Sequence, residues 1–246
     1  MVKISFDAGH GLYTPGKRCA KALDPNETRE WILNNRVLTN VLEQLKDYED
    51  VETLRVDDPT GKQDISLYER SSTINNWHSD IHISIHHNAA GVVGNHSGIV
   101  VFRYPTSSEA TEKYQKALYE KLVKHTGLKG NRATPLATKN LHMVRVPKMP
   151  SPLLELGFMD SRIDVPIILQ EKHADQCADA IVEFLSETFN LKKKVVVVPP
   201  NKDFVLPEGK FFRVIVGSFQ SRNNAEQMQK ELAEDGFDSF LAIYEK

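Results

Sequence analysis

Two histidines that follow short apolar runs have the right chemistry to bind a metal ion. His10 lies in the sequence DAGHG, directly after the run VKISF, and His86 lies in the sequence SIHHNA. Imidazole is the commonest metal ligand in proteins, and a catalytic zinc ion usually takes three protein ligands and keeps one open position. The two histidines therefore predict a metal site, provided that the fold brings them together with a third ligand.

The segment SDIHISIHHNAAG, residues 79–91, allows two periods for its histidines. At helical spacing, His78, His82 and His86 would share one face of a helix. At strand spacing, three alternate isoleucines share one face, and His82 and His86 share the other. The unbroken isoleucine alternation favours a strand over residues 81–86. His86 is then expected near the carboxyl end of that strand.

Short β-branched runs alternate with helical patterns in the first part of the chain. The order is a strand at VKISF, a helix in ETREWILNNRVLTNVLEQL, a strand at VETLRV, a helix around residues 65–77 and the strand at 81–86. This alternation predicts an α/β fold with a mostly parallel twisted sheet flanked by helices. Active sites of such sheets lie beyond the carboxyl ends of the strands, where both His10 and His86 are expected.

The first predicted helix offers a carboxylate as the third ligand. Its apolar stripe begins three residues after Glu30 and consists of Leu33, Val37, Val41 and Leu45. Glu30 therefore lies on the inward face of the helix, where an acid needs a partner. A metal ion held by His10 and His86 would be such a partner. Glu27 is close in sequence but precedes the stripe, and it remains the alternative ligand.

The other histidines have ordinary structural explanations. A single histidine near a strand end is more often hydrogen-bonded within the fold than bound to a metal. This interpretation applies to His82, His96, His125, His142 and His173. His87 faces away from His86 along the strand and is expected to support the site or the fold.

A second motif overlaps the first histidine segment. GLYTPGK, residues 11–17, has the spacing of a phosphate-binding loop. Arg18 stands where a serine or threonine would bind magnesium, Pro15 lacks a backbone N–H, and no helical pattern begins at Lys17. The sequence therefore argues against nucleotide binding at this loop.

The composition is that of an ordinary globular protein. The chain has 246 residues, of which 40% are apolar and 26% charged, enough for one large domain and a small second one. A net charge of −2 gives no electrostatic reason to expect a nucleic-acid partner. No segment approaches the roughly 20 apolar residues of a membrane span.

The motifs DAGHG, EWILN, SIHHNA and SPLLELGF occur in an order that resembles zinc-dependent N-acetylmuramoyl-L-alanine amidases of the amidase 3 type. The resemblance covers about residues 1–190 and includes Arg70 and Asn75. It implies that His10, Glu30 and His86 bind zinc. It also implies that Glu155, in SPLLELGF, is the catalytic acid and base. The implied reaction is hydrolysis of the amide between N-acetylmuramic acid and L-alanine in peptidoglycan, as in bacterial autolysins and phage endolysins.

The surroundings of Glu155 agree with that implied role. A carboxylate among leucines is costly unless it is paired or its pKa is raised, and both conditions suit a proton acceptor beside a metal. As an alternative, Glu155 would be a structural ion-pair partner of Arg145 or Arg162. The alternative function is a catalytically weak peptidoglycan-binding or scaffold protein that keeps the fold. The presence of every reactive residue counts against it.

The composition changes beyond residue 190. Residues 191–210 are expected to form a linker, and residues 211–246 a small α+β module of strand, helix and strand. Ser221 is a candidate N-cap of the helix, and Gly236 is a candidate for the position after its end. The module resembles half of a SPOR peptidoglycan-binding module. Because half of the module is missing, either the tail docks on the catalytic domain or two tails pair in a homodimer, and the homodimer is the arrangement predicted here.

The resemblance also gives an expectation for delivery to the wall. The start of the sequence, MVKISFDAGHG, has no apolar signal-peptide core. The protein is therefore expected to be made in the cytoplasm. It is expected to reach the cell wall after lysis or holin-type release, as phage endolysins do.

Overall fold

A computed structural model describes residues 1–194, 221–237 and 239–241 of the chain. The chain divides into two compact units, Met1–Val195 and Val196–Lys246. The first unit holds every residue that the sequence predicts to bind metal or to act in catalysis.

The first unit is built on one six-stranded sheet. The strands are β1 (Val2–Ala8), β2 (Val51–Arg55), β3 (Ile81–Asn88), β4 (Val100–Arg103), β5 (Leu136–Thr138) and β6 (Leu153–Phe158). They follow the order β2-β1-β3-β6-β4-β5 across the sheet, and only the β4–β6 pair is antiparallel. The predicted mostly parallel α/β sheet is therefore confirmed, with an antiparallel strand near one edge.

Helices cover both faces of this sheet. The helices of the first unit are α1 (Glu30–Leu45), α2 (Leu67–Trp77), α3 (Glu109–Thr126), α4 (His142–Arg145), α5 (Val165–Ile168) and α6 (Glu171–Phe189). The main core joins one face of the sheet to α1, α3 and α6, while α2 and α4 enclose smaller apolar clusters. None of the described helices is long and apolar enough to cross a lipid bilayer.

The strand period predicted for the histidine segment is confirmed. β3 extends from Ile81 to Asn88, two residues beyond the predicted end. Its three alternate isoleucines are fully buried in the main core. The opposite face is polar but also buried, because His82 bonds to Ser5 on the neighbouring strand and lies 3.4 Å from Asp7 Oδ1.

Helix α1 begins at Glu30, and the apolar stripe that follows it is buried as predicted. The segment before it is irregular, and an isolated antiparallel bridge joins Arg18 to Arg29. No helix begins at Lys17, so the loop lacks the helix N-terminus that a phosphate-binding loop requires.

The second unit contributes one described helix, α7 (Arg222–Glu234). Ser221 occupies its N-cap position without a capping side-chain hydrogen bond, and Gly236 follows its end with a left-handed φ of 85°. A glycine favours this conformation because it has no Cβ atom. The predicted strand before α7 lies outside the described residues, as does most of the predicted strand after it.

Candidate active site

His10, Glu30 and His86 converge at the carboxyl edge of the sheet. One ligand atom from each of the three lies within 4.8 Å of the others. His86 Nδ1 is 3.0 Å from Glu30 Oε1, and His10 Nε2 is 3.5 Å from Glu30 Oε2. The sheet order explains the convergence, because β1 and β3 are neighbours and the N-terminus of α1 meets both at this edge.

Glu30 is the buried anion of this cluster, with a side chain only 1% exposed. Burial favours the neutral carboxyl, but the hydrogen bond from His86 and the charges of His86 and His10 outweigh it. Together they lower the pKa of Glu30 to about 2. Burial lowers the pKa of His10 to about 4. The cluster therefore combines an ionised carboxylate with at least one neutral imidazole.

These residues fit a catalytic divalent metal, and zinc in particular. Two imidazoles and one carboxylate are an established ligand set for catalytic zinc. Glu30 Oε2 is buried and has no hydrogen-bond partner among the described residues, as expected for an oxygen that serves as a ligand. The side chains of His10 and His86 remain 21% and 15% exposed, which leaves one side of the cluster open to a substrate.

The turn that presents His10 depends on Gly9. A Cβ atom at Gly9 would lie 2.0 Å from Cε1 of the His86 ring, so any side chain there would displace that ring. His10 itself adopts a left-handed φ of 67°, which is uncommon for a residue other than glycine. Strain of this kind persists only where surrounding contacts hold the backbone in place.

Arg70 supplies most of those contacts. Its buried guanidinium donates to the carbonyls of Ala8 and His10 at 3.1 Å each, so it holds the turn from both sides. It also donates to Asp7 Oδ2 at 2.6 Å and to Asp64 Oδ1 at 3.2 Å. A fifth bond, to the carbonyl of residue 65, completes the set. Every N–H group of the guanidinium is therefore engaged.

A second buried network links the remaining parts of the site. Asn34 Nδ2 donates to the Gly9 carbonyl at 3.1 Å, so its Oδ1 atom is the acceptor that faces His87 Nδ1 at 2.8 Å. The backbone N–H of His87 donates to Glu30 Oε1 at 3.3 Å. Burial lowers the pKa of His87 to about 3, so its ring is neutral. His87 thus supports the site from the opposite face of β3.

Glu155 lies beside the cluster, because β6 pairs with β3 and Glu155 is in register with His86. Its Oε2 atom is buried without a hydrogen-bond partner. Burial, together with the nearby charge of Glu30, raises the pKa of Glu155 to about 7. Within the part of the chain that the structure describes, it forms no salt bridge with Arg145, Arg162 or any other cation, so the structural alternative has no support.

Glu27 and the other histidines lie outside the cluster. Glu27 has a left-handed φ of 48° and pairs with Arg18, with Oε1 and Nε 3.2 Å apart. Each of the five histidines interpreted as structural has a hydrogen-bond partner. They are His82, His96, His125, His142 and His173. The ligand set selected from the sequence is therefore the set that the fold brings together.

A cleft of about 300 Å³ opens beside the cluster. It is bounded by the His10 turn, the start of α2 and the end of β3, and its lining consists of Asp7, Gly9, His10, Asp64, Ile65, Ser66, Leu67, Arg70 and His86. Tyr13 and Tyr68, in segments that adjoin this lining, are 74% and 77% exposed. Because His10 and His86 line this cleft, the cluster is reachable from solvent.

Comparison with known proteins gives consistent matches. The family described as N-acetylmuramoyl-L-alanine amidase matches residues 4–187, and the SPOR domain matches residues 190–243. A sporulation-specific N-acetylmuramoyl-L-alanine amidase of Bacillus subtilis (strain 168) is 29% identical over 246 residues, which are 99% of this chain and 85% of that protein. An endolysin of Bacillus phage SPP1 is 26% identical over 182 residues, which are 73% of this chain and 60% of that protein.

The fold also matches solved structures. The crystal structure of an N-acetylmuramoyl-L-alanine amidase from Clostridium difficile 630 superposes with a TM-score of 0.69 at 22% sequence identity. The match covers 77% of this chain and 97% of the other. At this identity the likeness establishes the fold of the first unit.

Proposed function

This chain belongs to the N-acetylmuramoyl-L-alanine amidase family, and we propose that His10, Glu30 and His86 hold a catalytic zinc ion in it. The protein is a peptidoglycan hydrolase that cleaves the amide between N-acetylmuramic acid and L-alanine. The observation that carries the zinc proposal is the approach of the three ligand atoms to within 4.8 Å of one another, from three separate segments.

The protein's own residues divide the work of this hydrolysis. A zinc ion bound there supplies a Lewis acid, which acidifies water and polarises a carbonyl group. Glu155 is the carboxylate beside the ligands that has no ion-pair partner among the described residues. We assign it the transfer of a proton from the attacking water to the departing amine of L-alanine. Arg70 and Asn34 keep the His10 turn in place during this step.

The alternative of an inactive wall-binding protein is not favoured. Such a protein could keep the fold while losing any one of the reactive groups. Here the candidate ligands and the candidate acid and base are all present, and they lie together at one edge of the sheet.

Alanine at His10 or His86 is expected to remove the zinc ion. Removal of the hydrogen-bond partner of a metal ligand typically lowers metal affinity by about 10–100-fold. Loss of a ligand itself should lower zinc affinity by more than this. Zinc per protein molecule, measured by elemental analysis after dialysis, tests this, with circular dichroism as the check on folding. Glu30→Ala should also lose zinc, while Glu27→Ala is the matched control and should keep it. Unchanged zinc content in both histidine variants would contradict the site.

For the C-terminal segment, we propose wall binding and pairing of two chains. The SPOR match supports binding to peptidoglycan. Pairing is a prediction from the short strand–helix–strand pattern. Light scattering on the full chain and on a chain that ends at residue 195 tests it. The shorter chain keeps Lys192 and Lys194, whose main chains are hydrogen-bonded to Glu49 and Asp47 within the first unit. Dimers that form only with the tail are expected, and monomers in both cases would refute the pairing.

We also propose that the protein reaches the wall after lysis or holin-type release. Its similarity to a phage endolysin supports this route, whereas its similarity to a sporulation-specific amidase points to a bacterial setting. Expression in a bacterial host with and without a holin separates the two. Lysis is expected only with the holin, and wall digestion without any membrane lesion would contradict the proposal.

A further inference from the structure

Among the cationic side chains of the described residues, Lys17 is the one that both reaches the candidate ligands and remains open to solvent. The guanidinium of Arg70 is buried and fully engaged. The ammonium of Lys139 lies over the Phe102 ring, 5.6 Å from its centroid. Lys17 Nζ lies 3.8 Å from Glu30 Oε2, while 42% of the Lys17 side chain is exposed.

The main chain of Lys17 is fixed beside the site. Its carbonyl accepts a hydrogen bond from the backbone N–H of Glu30 at 3.0 Å, and its own N–H donates to the Thr14 carbonyl at 3.4 Å. The next residue, Arg18, forms the bridge to Arg29. The ammonium can therefore move only within the reach of its four-carbon side chain, at the mouth of the cluster.

Metal binding would remove the counter-charge of Lys17. Its salt bridge with Glu30 is the only one that Lys17 makes among the described residues. A divalent cation held by Glu30 would neutralise that carboxylate and would repel the ammonium. Lys17 would then present an unpaired positive charge to the substrate.

Two kinds of negative charge are available to such an ammonium. One is the charge that develops on the carbonyl oxygen during hydrolysis, and the other is a carboxylate of the substrate. Groups that stabilise a developing oxyanion are preorganised and shielded from water. Lys17 has a flexible, strongly hydrated head that is partly exposed at the rim, which suits an ion pair with a carboxylate of the substrate.

We propose that Lys17 binds a carboxylate of the peptidoglycan stem peptide close to the scissile amide, an inference that rests on the proposed function. The candidate group is a free carboxyl on the residue that follows L-alanine, and conversion of that carboxyl to an amide removes its negative charge. A free carboxylate forms an ion pair with Lys17, whereas the neutral amide does not. Lys17 thereby makes the enzyme selective for stem peptides that carry the free carboxylate.

The test uses the zinc-loaded full chain and two soluble muramoyl peptides that differ only in this group, one carboxylate and one amide. Lys17→Met should raise KM for the carboxylate substrate about 3- to 10-fold, in the range of a partly exposed charged contact. The kcat value and the reaction of the amide substrate should change little. Lys17→Arg should retain most of the preference, because it keeps the charge.

Lys21→Met is the matched control, because Lys21 is an exposed lysine of the same loop and has no salt bridge among the described residues. It should match the parent with both substrates. Zinc content is measured in every variant and should be unchanged, since neither lysine is a candidate ligand. A preference for the carboxylate substrate that falls with added salt in the parent, but not in Lys17→Met, would support the ion pair further.

Three results would overturn the role of Lys17. They are a parent that does not distinguish the substrates, an equal loss with both substrates in Lys17→Met, and a Lys17→Met variant that behaves as the parent. An equal loss would assign Lys17 to the reaction itself. A parent that binds zinc and cleaves neither substrate would instead contradict the proposed function, so the two failures are distinguishable.

Discussion

Replacement of Glu155 by glutamine is expected to lower turnover by about 10²- to 10⁴-fold, the range that a general acid or base usually contributes. Glutamine has nearly the same size and keeps a carbonyl oxygen, but it cannot accept the proton of the attacking water. The variant should fold normally, because the buried Oε2 atom that it replaces has no hydrogen-bond partner among the described residues. It should also retain zinc, because Glu155 is not one of the three clustered ligands.

The release of new amino termini from purified cell walls measures this effect, with zinc content and melting temperature recorded for each variant. Glu183→Gln is a suitable control, since Glu183 lies on α6 in a surface cluster with Lys121 and Lys124, apart from the site residues. It should keep full activity and lose at most a small amount of stability. If Glu155→Gln retained activity within a few-fold of the parent, Glu155 would be a structural acid.

The parts of the site that the sequence could predict depend on local periodicity. The alternation of isoleucines identifies β3 and places His86 near its end, because strand side chains alternate strictly between two faces. The apolar stripe of α1 identifies Glu30 as inward-facing for the corresponding reason in a helix. Each inference needs fewer than twenty consecutive residues, and each is matched by the fold.

The parts that the sequence could not predict depend on contacts between distant segments. Local sequence patterns do not place β6 in the sheet, so the register of Glu155 with His86 could not be predicted, and only the role of Glu155 followed from the family resemblance. The guanidinium of Arg70 binds groups more than 60 residues earlier in the chain. Asn34 and His87 are 53 residues apart and meet only because α1 packs on β3. Asp7 does give a local indication of such a contact. It is an acid within an apolar strand, and a buried acid of this kind requires a buried cation.

Replacement of Arg70 by methionine is therefore expected to cost about 3–5 kcal/mol of stability, as is typical when one partner of a buried ion pair is removed. Methionine fills much of the volume but leaves Asp7 ionised and buried without its guanidinium, since both side chains are only 1% exposed. It also frees the carbonyls of Ala8 and His10, so the turn that presents His10 is no longer held on that side. Zinc affinity should fall together with stability for this reason.

Urea unfolding in the presence of a chelator isolates the stability effect, because bound zinc would otherwise add its own stabilisation. Arg36→Met is the matched control. Arg36 is partly exposed, pairs with Glu171 at the surface and should contribute no more than about 1 kcal/mol.

Adding Asp7→Asn to Arg70→Met should restore part of the lost stability, since it removes the uncompensated charge. A loss in Arg70→Met no larger than that in Arg36→Met would show that the buried pair does not hold the turn. His10 would then owe its position to Asn34 and to the packing of Gly9 against His86.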